Sequence, residues 1–161
     1  MASSGDSELV GAIVMKGNLL QGRYQLQEKL AEKASRQTWL AEDLASDPPQ
    51  QCVVKLLPFS PHLQWQDLKL FEREAQVLRQ LAHPRIPAYL DSFAMEGEAG
   101  SLPCFALVQE YIPGKSLQTW LAEGRRFTEK EGRRIAAQLL DTLIYLHELS
   151  PPVLHRDIKP S

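Results

Sequence analysis

Strand-forming residues cluster in two stretches near the start of the chain, Tyr24 to Leu30 and Thr38 to Glu42, separated by A-E-K-A-S-R, Ala31 to Arg36. This pattern predicts two antiparallel strands around a loop. The run D-P-P-Q at Asp47 to Gln50 breaks the chain, and C-V-V-K-L-L, Cys52 to Leu57, then reads as a short apolar strand with a lysine inside it. From Asp67 to Leu81 the apolar residues Phe71, Ala75, Leu78 and Leu81 recur at helical spacing, and His83-Pro84 stops the helix. Tyr89 to Phe93 and L-P-C-F-A-L-V-Q-E-Y, Leu102 to Tyr111, predict a hairpin, after which Pro113-Gly114 marks a connection.

Beyond that connection the chain reads helical. Ser116 caps a short helix with Leu117, Trp120 and Leu121 facing inward. Thr128 and Glu131 have the spacing of a capping box, and Ile135, Leu139, Leu143 and Leu146 form one face of a helix running to about His147. Strands first and helices afterwards predict an α+β fold with two subdomains and a hinge near Glu110 to Gly114.

Two charges interrupt apolar faces. Lys55 lies in the valine and leucine strand, and Glu74, three residues after Phe71 and four before Leu78, lies on the apolar stripe of the first helix. An unpaired buried charge is costly, so a lysine in such a place either snorkels at a sheet edge or has a partner. The two residues together predict an ion pair from strand to helix.

Composition narrows the remaining classes. With 161 residues, 43% hydrophobic, 24% charged and a formal net charge of -2, the chain can bury a core and has no global basic field for nucleic acid. No apolar run approaches the roughly 18 residues of a membrane span. Leu9 to Met15 follows Asp6 and Glu8 rather than a basic region, so a secretory signal is not expected. Residues 1–22 read as an N-terminal extension in which Met1 or Met15 is the start. Cys52 and Cys104 each sit in apolar runs and read as buried thiols of a cytoplasmic protein.

The chain closes on H-R-D-I-K-P-S, His155 to Ser161. Together with Lys55 in V-V-K, Glu74 in F-E-R-E-A-Q-V-L, H-P-R-I at His83 to Ile86 and L-V-Q-E-Y-I-P-G-K-S-L from Leu107, this ending resembles a protein kinase of the serine/threonine type, bacterial-looking. The resemblance implies an incomplete kinase domain over residues 23–161. It divides into an N-terminal lobe (23–108), a hinge (109–114) and the first helices of the C-terminal lobe (115–161).

It further implies ATP with Mg2+ as cofactors, a protein Ser/Thr hydroxyl as acceptor, and roles for single residues. Lys55, paired with Glu74, would hold the phosphates. Gln109 would be the gatekeeper, with the backbone of Glu110 and Ile112 offered to adenine and Leu30, Thr38 and Val53 lining the roof. Asp157 would take the acceptor proton, Lys159 would stand near the transferring phosphate, and Arg156 would receive a phosphorylated activation loop. In the family the magnesium ligands follow Ser161, so no metal ligand is expected within these residues and the chain by itself is expected to be inactive.

One motif departs from the pattern. The glycine-rich loop of the family falls on Ala31, Lys33 and Arg36, with no glycine left. Glycine matters there because a backbone without Cβ can approach phosphate closely. Two expectations follow: a catalytic kinase in which Lys33 and Arg36 replace backbone contacts to phosphate, or a pseudokinase that acts as a binding module.

Overall fold

A computed structural model describes residues 14–33, 36–59, 65–96 and 104–160. Six strands and three helices are defined among them: β1 Leu19–Leu20, β2 Tyr24–Lys33, β3 Arg36–Asp43, β4 Gln50–Pro58, α1 Trp65–Gln80, β5 Tyr89–Met95, β6 Cys104–Glu110, α2 Leu117–Ala122 and α3 Glu129–Glu148. The strands form one antiparallel sheet in the order β1-β2-β3-β4-β6-β5.

Alternation along β3 buries Gln37, Trp39, Ala41 and Asp43 on one face, and β4 continues it with Cys52, Val54 and Leu56. Trp39, Ala41, Cys52, Val54 and Leu56 share a core with Tyr24, Leu26, Cys104, Ala106 and Val108, all contributed by strands, and with Val14 and Leu20. A sheet face can be buried by its own strands only if the sheet curls. The curl is visible where β2 meets β5, strands that are not neighbours in the ladder. The Tyr24 and Phe93 rings stack with centroids 5.8 Å apart, and the Tyr24 hydroxyl donates to Asp91 at 2.9 Å. Arg23 binds Asp43 through both carboxylate oxygens at 2.7 Å and approaches Asp91 at 3.9 Å.

The opposite face of the sheet carries α1. Phe71 and Ala75 pack on Leu57 and Leu107, with Leu78, Tyr89 and Phe105 at the margin. The helix starts with Asp67 in its first turn and ends with Arg79 in its last, charges that suit its dipole.

By its contacts the chain divides into two units, one of Met1–Gln80 with Ala88–Tyr111, the other of Leu81–Pro87 with Ile112–Ser161. In the second unit Ser116 caps α2, and Gly124, at φ +86°, follows its end. Thr128 and Glu131 form a reciprocal capping box at the start of α3. The His83 ring lies 4.8 Å from that of Tyr145, whose hydroxyl accepts from the Ala82 amide at 2.9 Å, so the His-Pro segment is tied to α3.

Three sequence expectations change, and a fourth lies outside the described residues. Residues 14–22, read as part of an extension, supply an edge strand and the buried Val14 and Leu20. Ala31, Lys33 and Arg36, read as loop, lie in the β2–β3 ladder, which continues to the pair Lys33↔Arg36. The expected strand start at Leu102 falls outside the described residues. Leu121 and Leu139, expected to face inward, are 53% and 41% exposed. Helical periodicity identifies a face but not whether another element covers it.

Candidate active site

Ladder register brings the apolar-strand lysine to its neighbours. Thr38 stands opposite Lys55, Leu40 opposite Val53, and Val53 opposite Gln109. Directly opposed residues share a face of the sheet, so Thr38, Lys55 and Val53 lie with Leu107 and Gln109 on the face that α1 covers in part. Gln109 is buried and Val53 and Thr38 are half-buried.

Lys55 Nζ donates to Glu74 Oε1 at 2.6 Å, linking β4 to α1. The expected strand-to-helix pair is therefore present. Its side chains remain 34% and 31% exposed, so both charges keep part of their hydration and the ammonium can still meet an anion from solvent. The other carboxylate oxygen, Oε2, lies 3.8 Å from Arg36 Nη1. The Arg36 guanidinium also sits over the Phe71 ring, 5.8 Å from its centroid.

The remaining candidates on β2 are spread along the hairpin. Leu30 is exposed, Ala31 is opposite Thr38 beyond a register shift, and Lys33 is exposed at the end of the ladder. At the end of β6 the Glu110 amide donates to the Ala88 carbonyl at 2.9 Å, and Glu110 Oε2 accepts from the Ala88 amide at 3.1 Å. Ile112 is exposed.

The second unit holds the H-R-D segment. Arg156 has φ +60°, a left-handed conformation uncommon for a residue with a side chain, and such an outlier costs about 1–3 kcal/mol. The segment is anchored on both sides of it: the Val153 amide donates to Leu146 O on α3, and the Gln118 amide of α2 donates to Pro160 O, each at 2.9 Å. Between these anchors the Asp157 amide donates to His155 Nδ1 at 3.3 Å, and Lys159 Nζ lies 3.0 Å from Asp157 Oδ2. The Asp157 side chain is 71% exposed. A carboxylate beside an ammonium, both reachable from solvent, can orient a hydroxyl and face a phosphate.

Among the described residues no group of three or more His, Cys, Asp or Glu side chains is arranged to hold a metal ion. Cys52 and Cys104 are free and buried, and burial pushes both thiols up to about 11. No helix among the described residues is long and apolar enough to cross a membrane.

A family profile described as "Protein kinase domain" matches residues 44–161. The chain belongs to the protein kinase family. Serine/threonine-protein kinase B of Synechocystis is 36% identical over 146 residues, 88% of this chain and 24% of that protein. Serine/threonine-protein kinase C of the same organism is 34% identical over 149 residues, 88% of this chain and 26% of its length. Serine/threonine-protein kinase tousled-like 2 of Homo sapiens is 31% identical over 147 residues, 88% and 18% respectively. The chain thus spans about a quarter or less of these curated relatives. Within the family's architecture the curled sheet with α1 is the N-terminal lobe, and α2 and α3 begin the helical lobe.

Sequence reasoning missed the placement of Arg36. Its signal was available in the parity of β3: Arg36 and Thr38 are two residues apart, hence on one face, and Thr38 opposes Lys55.

Proposed function

We propose that the protein transfers the γ-phosphoryl group of ATP to a Ser or Thr hydroxyl of a protein, in the reducing cytoplasm that its two free thiols suit. The observation that carries this reading is the 2.6 Å pair of Lys55 with Glu74, because it presents an oriented ammonium beside the residues that would receive a nucleotide. Lys55 would neutralise phosphate charge, Val53, Thr38 and Leu30 would lie against the base and sugar, and Gln109 would limit the depth of the pocket. The Glu110 amide is committed to Ala88, so its part in holding adenine falls to its carbonyl oxygen, with Ile112 supplying an amide.

In the reaction the acceptor oxygen forms a bond to the γ-phosphorus, the bond from that phosphorus to the oxygen of the ADP leaving group breaks, and the hydroxyl proton passes to Asp157. Lys159 would stabilise charge on the transferring group. Magnesium supplies charge neutralisation in this chemistry. Among the described residues no group of three or more His, Cys, Asp or Glu side chains is placed to hold it.

Lys55→Ala in the full-length protein tests the reading. A lost charged hydrogen bond of about 1–3 kcal/mol should weaken ATP by roughly tenfold or more and leave adenosine unchanged. Equal affinities of wild type and variant for ATP would contradict it, and a wild type that binds protein partners but neither binds nor hydrolyses ATP would favour the pseudokinase reading.

A further inference from the structure

Arg36 stands where the family has a glycine near phosphate, yet its side chain is directed elsewhere. It begins β3 at the end of the ladder, diagonal to Lys55 on the same face, and reaches α1 at two places one turn apart, Glu74 Oε2 at 3.8 Å and the Phe71 ring at 5.8 Å. The Glu74 carboxylate therefore has a separate cation for each oxygen, Lys55 on Oε1 and Arg36 on Oε2.

We propose that Arg36 is a positioning residue that holds Glu74, and α1 with it, while Lys55 engages phosphate. The proposal rests on the kinase reading above and goes beyond it. When anionic phosphates share the Lys55 ammonium with Glu74, a carboxylate with that single partner would have part of its compensating charge drawn off and the tether from helix to sheet would weaken. Arg36 keeps both. Its planar guanidinium can face a carboxylate and stack on a ring at once, which a compact ammonium does less well. The absence of glycine at positions 31, 33 and 36 serves this role, because an ordered ladder fixes Arg36 better than a pliable loop would.

The competing role for Arg36 is direct contact with phosphate. A double-mutant cycle of Arg36→Ala and Glu74→Gln in the full-length protein separates the two, read by melting of the nucleotide-free protein and by the dissociation constants of ATP and adenosine. If Arg36 positions Glu74, Arg36→Ala lowers the melting temperature, weakens ATP about two- to fivefold, the scale of a partly exposed pair, and leaves adenosine unchanged. With Glu74 already Gln, the effect on ATP vanishes and the melting shift shrinks to what the Phe71 contact alone supplies. Arg36→Lys restores part of each.

Equal weakening of ATP by Arg36→Ala in both backgrounds would overturn the proposal in favour of phosphate contact, and additive melting shifts would overturn it outright. A wild type that does not bind ATP would instead overturn the kinase reading. The melting cycle, which needs no nucleotide, would then still decide whether Arg36 holds Glu74.

Discussion

Arg23 and Asp43 make the best-formed charged contact of the sheet. Two parallel N–H donors meet two carboxylate oxygens at 2.7 Å each, and the Asp43 side chain is only 8% exposed. The hydrogen bond from Arg23 holds the Asp43 carboxyl below the usual carboxylate range, against the opposing effect of burial. A carboxyl whose folded pKa is depressed contributes stability that is present above its unfolded pKa, about 4, and is lost as pH falls through the folded value. Arg23→Ala should therefore cost about 1–3 kcal/mol at pH 7. The deficit should shrink as pH falls below about 4, where the unfolded chain takes up protons that the folded wild-type Asp43 carboxylate resists. Denaturant melts at pH 7 and pH 3 check this, and a deficit unchanged at the lower pH would mean that Arg23 acts through packing on Tyr24 rather than through its charge.

At the scale of elements, what was legible in the sequence had a local cause. Helix α3 announces its start through Thr128 and Glu131, whose side chains close on each other's backbone amides, and α2 through Ser116. Thr128→Ala removes that cap and should destabilise the unit carrying α3 by about 1 kcal/mol, read by denaturant titration. Thr128→Ser should restore most of the loss, whereas no change in either variant would show that the start of α3 is held by other contacts.

Strands were less legible because a strand end is set by its partner. The two residues of β1 have no periodicity to detect and become a strand only against Tyr24 and Gln25. Likewise Ala31 to Lys33 carry no strong β preference and are recruited by the ladder from Arg36 to Thr38. The candidate site was legible to the same degree. Lys55 and Glu74 stand out because each is a charge among apolar residues. Arg36 stands in a stretch where charge is unremarkable, and only its pairing in β3 shows where it points.

For the molecule as a whole, each unit holds its own part of the proposed chemistry. The sheet and α1 present Lys55 with Glu74, and the helical unit presents Asp157 beside Lys159 on a segment whose left-handed Arg156 is fixed by anchors to α2 and α3. In the proposed phosphoryl transfer Asp157 acts on the acceptor hydroxyl. This role is tested by transfer of labelled γ-phosphate from ATP to protein by the full-length protein and its Asp157→Asn variant. Loss of a positioned base should lower kcat by about a hundredfold or more with the dissociation constant of ATP unchanged. Transfer at the wild-type rate by Asp157→Asn would contradict that role.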